Sequence, residues 1–269
     1  SSAEEVIAHP DVDVVFVLTR HDLHAPLVIR ALEAGKHVFT EKPLALSHEE
    51  LDAIAKAREA APGDVMVGFN RRFAPLVGEL AEHFAGRTHP LVMIYRVNAG
   101  FLPREHWVHD PVEGGGRILG EACHFVDLLH HLAGAPPVRV SAECIAGGSR
   151  FRGDDNVIAT LRFADGSIGT VIYTAAGDDR MPKERLEAFG EGGVAILDDF
   201  RSLELARGGR RRSERSARQD KGFREEMSRF LAAVRSGGPM PIPFEQSLAS
   251  SRATLAVLDA LRTGAPVEL

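Results

Sequence analysis

The sequence predicts an α/β region followed by an α+β region: a partial, Rossmann-like parallel sheet, then an open antiparallel sheet with flanking helices. Three observations carry this expectation. Short apolar runs alternate with helix-period segments from Val12 to Phe69, the rhythm of parallel βαβ units. Beyond Phe73, strand-like runs follow one another with turns between them, and two helix-period segments close the chain. At 269 residues the chain is long enough for two ordinary domains.

Ser2 and Glu5 have capping-box spacing and open a short helix that Pro10 ends. Residues 12–18 read as a buried parallel strand. A helix at 23–34 follows, with Asp22 at its N-cap, Pro26 tolerated in the first turn and Gly35 stopping it. Residues 37–39 make a second strand, Ser47 and Glu50 cap a helix running to 61, and residues 65–69 make a third strand. Parallel sheets bind ligands beyond the carboxyl ends of their strands. Those ends carry 19–24, Glu41-Lys42-Pro43 and Asn70-Arg71-Arg72, so polar side chains converge on one edge.

In the second region, strands are expected at 91–99, 138–146, 156–163, 167–175, 185–190 and 194–197, with Asp165-Gly166 a hairpin turn between two of them. Helices are expected at 116–133, 223–234 and 244–261, and the basic run 208–215 reads as a solvated, mobile loop. An antiparallel sheet with one uncovered face has to be polar there or paired, which points to a homo-oligomer through that sheet.

The formal charge of −6 would repel a phosphate backbone, so nucleic acid is not the expected partner. No run reaches the roughly 18 to 20 apolar residues that a membrane span needs, so no membrane partner is expected either. Two cysteines, Cys123 and Cys144, are too few for a disulfide scaffold, and the default compartment is the cytoplasm.

The residues best suited to chemistry lie in two places. Lys42 follows a buried strand, where partial desolvation can tune an ammonium for acid–base work; alternatively it is a surface lysine in a loop. Gly114-Gly115-Gly116 permits close backbone approach to a ligand and leads into a helix whose N-terminal dipole faces that place. On that helix Glu121, His124, Asp127 and His131 recur at three- and four-residue spacing and share a polar stripe, while the rest of the helix is apolar and so buried. His124 is either a general acid–base or a hydrogen-bonded structural histidine. Trp107 and Asn98 read as cleft-lining or as core and rim. Histidines 106, 109, 124, 130 and 131 show no closed ligand spacing, so no metal site is expected.

Taken in order, the strand ending in Thr19-Arg20-His21-Asp22-Leu23-His24, the stretch Ala34-Gly35-Lys36-His37-Val38-Phe39-Thr40-Glu41-Lys42-Pro43, then Gly68-Phe69-Asn70-Arg71-Arg72-Phe73 and the triple-glycine helix resemble the glucose-fructose oxidoreductase / inositol dehydrogenase (Gfo/Idh/MocA) family. The resemblance implies NAD- or NADP-dependent hydride transfer on a sugar, cyclitol or related hydroxyl compound. It implies that Lys42 contacts the reacting hydroxyl, that His124 acts as acid or base, and that Glu121 or Asp127 orients that histidine. It places Thr19, Arg20, His24, Glu41, Lys42 and Asn70 toward the cofactor, and Arg72, Asn98 and Trp107 toward the substrate. Residues 1–72 would then be a partial dinucleotide-binding domain, and 73–269 an α+β substrate and oligomerisation domain whose C-terminal helix packs back on the first.

Two departures stand out. Many family members carry an aspartate four residues before the histidine, where this chain has Gly120 with Glu121 beside it; the variant is similar to a subgroup fused to zinc-dependent alcohol dehydrogenase modules. No Gly-x-Gly-x-x-Gly turn precedes Val12. The chain is therefore expected to be either a truncated form or one with weak NAD(P) binding. A non-catalytic sugar- or nucleotide-binding protein, or a scaffold retaining the dehydrogenase fold, is the alternative.

Overall fold

In a computed structural model that describes residues 2–148 and 152–269, the capping box at the start of the chain forms. The Glu5 amide donates to Ser2 Oγ at 3.2 Å and the Ser2 amide to the Glu5 carboxylate at 2.9 Å, opening α1 (Ala3–Ala8). The βαβ rhythm follows as β1 (Val14–Val17), α2 (His24–Glu33), β2 (His37–Thr40), α3 (His48–Ala60) and β3 (Val65–Val67). These strands form one parallel sheet in the order β1-β2-β3, with Val14 opposite His37 and Phe39 opposite Met66.

Three local details differ from expectation. In β1 one face is packed and the other is largely open, so Val15 and Val17 are buried while Phe16 and Leu18 are exposed. Asp22 caps nothing, because a 3-10 turn His21–Leu23 intervenes before α2. Ser47 Oγ does accept from the Glu50 amide at 3.1 Å, but the Glu50 carboxylate reaches the Leu46 amide at 2.7 Å rather than closing a box on the cap.

The second region continues with α4 (Pro75–His83), β4 (Val92–Asn98), α5 (Cys123–Ala133), β5 (Pro137–Cys144), β6 (Asn156–Phe163), β7 (Ile168–Thr174), β8 (Glu184–Gly190), β9 (Gly193–Asp198), β10 (Ser202–Arg207), β11 (Arg210–Arg215), α6 (Phe223–Ser236), α7 (Phe244–Thr263) and β12 (Val267–Glu268). Nine strands make one sheet in the order β11-β10-β9-β8-β4-β7-β6-β5-β12. It is mixed rather than antiparallel throughout. β4 runs parallel to β7, from Val92 opposite Ile168 to Asn98 opposite Thr174, because α5 and the β5–β6 hairpin form a crossover long enough to return the chain in the same direction.

The basic run is not a loop. Gly208 and Gly209 sit at positive φ in a tight turn, and the arginines after them form the edge strand β11. A charged edge is one way a sheet avoids pairing with stray strands.

Two apolar cores result. One lies between the large sheet and α4, α5 and α7, with Tyr95, Phe125, Phe163 and Tyr173 among its largest members. The other gathers β1–β3, α2 and α3 together with Phe230 and Ala233 of α6 and Leu255 of α7. The C-terminal helices thus fasten the parallel sheet to the rest of the chain, and Leu119 and Cys123, at the start of α5, belong to this second core. The outer face of the large sheet is uncovered and partly apolar, with Val92, Ile94, Ile158 and Ile168 exposed. Among the described residues, no helix is long and apolar enough to cross a membrane.

Candidate active site

Strand β2 delivers Glu41 and Lys42 to the carboxyl edge of the parallel sheet, and the Lys42 ammonium donates to the carbonyl oxygen of Gly120 at 2.6 Å. That carbonyl belongs to a π-helical turn, Ile118–Ala122, which interrupts the i→i+4 ladder just before α5. Lys42 and His124, 82 positions apart in sequence, both line one cavity of about 670 Å³, with Glu41, Glu121, Trp107 and His21 also in its wall.

The geometry accounts for glycine at position 120. A Cβ there would sit 2.9 Å from His21 Cε1 and 3.2 Å from Val108 Cγ2, so the His21 ring occupies the space an aspartate would need. His21 itself is anchored through Nδ1 to the Gly114 carbonyl at 2.7 Å and meets Trp107 edge-on at 4.7 Å. Burial lowers its basicity to a pKa of about 4.

His124 is 7% exposed and packs edge-on against Phe69. Burial holds its imidazole well below the usual range, and the charges of Arg71, Lys42, Lys221 and Lys183 act in the same direction. The ring is therefore neutral at physiological pH, the state in which it can take a proton. Among the described residues its Nδ1 has no hydrogen-bond partner, and neither Glu121 nor Asp127 is bonded to the ring.

Two carboxylates are tied to the cations of the cavity wall, each held by several donors. Burial pushes Glu121 up, but Lys183 at 2.5 Å, Tyr173 at 2.5 Å and Arg117 at 3.2 Å outweigh it and keep the carboxyl below its ordinary range. Burial likewise opposes Glu184, yet the bidentate Arg71 contact at 2.8 and 2.9 Å, with Lys221 at 2.6 Å, brings it to about 2; the Tyr95 hydroxyl also donates to it at 2.6 Å. Nearby on α6, Glu226 is the opposite case. It is buried near Glu41 and Asp127, with no cation among the described residues in partnership, and is pushed up to about 9. Burial also pushes the Cys123 thiol up to about 12, the state of an inert core cysteine.

Asp127 and Arg72 are corrections. Their charged groups pair at 2.7 Å in both arms of a bidentate contact, with Ser250 and Gln246 completing it, and neither residue lines the cavity. Their role is structural, since a buried guanidinium and carboxylate satisfy each other. His24 is a third correction. It is wholly buried, with Nδ1 2.7 Å from the Pro43 carbonyl and Nε2 3.2 Å from the Thr19 carbonyl, so it braces the Lys42 loop rather than reaching a cofactor.

Asn70 is buried and donates to the Lys221 carbonyl at 2.7 Å, outside the cavity wall. Asn98 lines a different cavity, of about 530 Å³, and donates to the Asp178 carbonyl. Thr19 lies exposed at the sheet edge, and Arg20 is exposed over the Trp107 ring at 4.0 Å while pairing with Glu113. Sequence reasoning missed His21, Arg71, Arg117, Lys183, Glu184 and Lys221. The first two lie in the polar strand-end stretches 19–24 and 70–72, Arg117 lies one helical turn before Glu121, and the others come from segments far away in sequence.

Comparison with known proteins places this architecture. Residues 1–69 match the model described as GFO_IDH_MocA, oxidoreductase family, NAD-binding Rossmann fold, and residues 80–196 match the GFO/IDH/MocA C-terminal domain model. The chain is 27% identical over 263 residues to a myo-inositol 2-dehydrogenase of Thermotoga maritima, covering 90% of this chain and 75% of that protein. It is 28% identical over 238 residues to a levoglucosan dehydrogenase of Pseudarthrobacter phenanthrenivorans, covering 76% of this chain and 60% of that one. A solved levoglucosan dehydrogenase in complex with NADH and levoglucosan has a TM-score of 0.84 at 25% identity, covering 100% of this chain and 83% of that one.

Proposed function

This chain belongs to the Gfo/Idh/MocA oxidoreductase family, and on that premise we propose that it moves a hydride between NAD(P) and a carbinol carbon of a sugar, cyclitol or related polyol. One observation carries the reading: the Lys42 ammonium and the neutral His124 imidazole line a single cavity at the carboxyl edge of the parallel sheet. The donor set fits a nicotinamide beside a polyol. Glu41, Lys42 and His21 lie in the wall where that edge meets the cavity, and His124 Nδ1 is a buried polar atom with no partner among the described residues. Glu41 and Lys42 would hold the cofactor's reactive end, with Thr19 at the rim. When bound, the nicotinamide supplies the hydride acceptor or donor.

The chain's own residues supply the remaining chemistry. His124 takes the hydroxyl proton as the carbinol is oxidised and returns it in reduction. Lys42 donates a hydrogen bond to the oxygen as negative charge develops on it. Glu121, fixed by three donors, shapes the wall and holds Arg117 in it. Trp107 supplies an apolar face against which a sugar ring can stack.

The test is turnover. The 269-residue chain, at millimolar NAD or NADP, should produce reduced nicotinamide with at least one member of a panel of aldoses, inositols and sugar acids. No reduction with any of them would overturn the reading. We also propose that these residues taken by themselves bind NAD(P) weakly, because no Gly-x-Gly-x-x-Gly turn stands among them to cradle the pyrophosphate. A micromolar Kd by calorimetry would contradict that.

The exposed Val92, Ile94, Ile158 and Ile168 support a further part of the proposal, self-association through the uncovered face of the large sheet. Sedimentation equilibrium should give a multiple of the 29.2 kDa chain mass, reduced by Ile158→Lys. A monomeric wild type would remove it.

A further inference from the structure

We propose that the substrate is an anionic polyol, a sugar acid whose carboxylate is met by Lys221 while its reacting carbinol lies between Lys42 and His124. The proposal rests on the oxidoreductase reading above and narrows its substrate class.

The argument is one of charge. Lys42, Arg71, Arg117 and Lys221 line the cavity with the carboxylates Glu41 and Glu121, and Glu184 and Lys183 are paired to residues of that wall. Glu184 is shared by two cations, Arg71 and Lys221; Glu121 is shared by Arg117 and Lys183. In each cluster the cations outnumber the carboxylate by one; Arg71, Lys221 and Arg117 line this cavity, while Lys183 faces the neighbouring one. A neutral sugar would leave that excess unmatched in a partly desolvated pocket, whereas a carboxylate on the substrate neutralises part of it. Neither Glu121 nor Glu184 would repel the newcomer strongly, since each is already covered by three or four donors.

Geometry selects Lys221 among the cations. The Arg71 guanidinium is engaged bidentately with Glu184, and Arg117 bonds the Ala99 and Gly100 carbonyls as well as Glu121. Both are nearly sealed, with side chains 7% and 4% exposed. Lys42 is assigned to the reacting oxygen. Lys221 lines the cavity with a partly exposed side chain and uses one of its three N–H donors on Glu184, which leaves donors for a ligand. Lys183 has spare donors too, but stands in the wall of the neighbouring cavity.

Trp107 is the only tryptophan in the chain and lies in the cavity wall, so its fluorescence reports binding without any cofactor. The full chain is titrated at low ionic strength with D-glucuronate and D-gluconate, and in parallel with D-glucose and D-glucitol. At least one acid should bind about tenfold or more tightly than its neutral counterpart, the worth of one charge-assisted hydrogen bond, and the difference should shrink in high salt. Lys221→Met should bring the pair to within about twofold, and Lys221→Arg should keep most of the preference. Equal affinities, a preference for the neutral sugars, or no response to any ligand would overturn the proposal. If neutral polyols bind equally well and are turned over, the sugar-acid assignment fails while the oxidoreductase reading stands. If sugar acids bind preferentially but no nicotinamide is reduced, the anion site stands and the oxidoreductase reading fails.

Discussion

Lys42→Met and His124→Ala should each lower kcat by about a hundredfold or more while the protein stays folded, as expected when a proton acceptor or an oxyanion donor is removed. Both variants are tolerable to the fold for identifiable reasons. His124 Nδ1 has no partner among the described residues, so truncation strands no hydrogen-bonding group of theirs. Lys42 surrenders one bond to the Gly120 carbonyl in a part-buried setting that water can reach. Unchanged circular dichroism with lost turnover is the expected result, and near wild-type turnover in either variant would remove the site assignment. The pH profile adds an independent readout. Burial holds the His124 imidazole well below an ordinary histidine, so its neutral, proton-accepting form persists as pH falls through 6.5 and is lost only in more acid solution. The oxidation rate should therefore stay level across pH 6.5. A drop centred there would mean either an ordinary histidine or a different base.

Much of the scaffold was legible because its signals are local. The capping residues Ser2 and Ser47, the Asp165-Gly166 turn and the alternation of apolar runs each act within a few residues, and each appears in the structure where the pattern puts it. The elements that were not legible carry weak or misleading local signals. No helix was expected at 75–83, yet Pro75 stands at the first position of α4, where its missing N–H costs nothing, and Leu76, Val77 and Leu80 fill the core. β11 has no apolar alternation, since as an edge strand it buries none of its side chains.

The site divides the same way. Lys42 and His124 follow from ordered motifs. A helix stripe, however, does not say which neighbour each of its residues meets. The stripe from Glu121 to His131 passes from the cavity at Glu121 and His124 to the Arg72 pair at Asp127 within two turns, and the π-helical turn shifts its phase ahead of α5. His21, given no role from the sequence, lines the cavity in place of His24 for a similar reason. The 3-10 turn aims the first into the cavity, where it excludes a side chain at Gly120, and leaves the second beneath the Lys42 loop. Arg71, Glu184 and Lys221 meet only through the tertiary fold, and no spacing along the chain announces them.

The other large effect is structural and lies beneath the cavity. Asp127→Ala should destabilise the protein by about 3 to 5 kcal/mol, the usual result of removing one partner of a buried ion pair. The Arg72 and Asp127 side chains are only 5% and 1% exposed, and the guanidinium would be left with Gln246 alone in a space that water hardly reaches. The Ser250 hydroxyl would also lose its acceptor, and His130, bonded to Ser250 Oγ at 2.9 Å, with it. Against a total stability of roughly 5 to 15 kcal/mol, such a loss is readily measured as a lower urea midpoint. The paired replacement Arg72→Met with Asp127→Leu removes both charges, so it should cost less than either single change, and the cycle should show strong coupling. Turnover separates this structural role from a catalytic one. Because neither residue lines the cavity, the double variant should keep kcat within a few fold of wild type at a temperature where it is folded. A collapse of kcat as deep as that of His124→Ala, with the fold intact, would return Asp127 to the catalytic machinery.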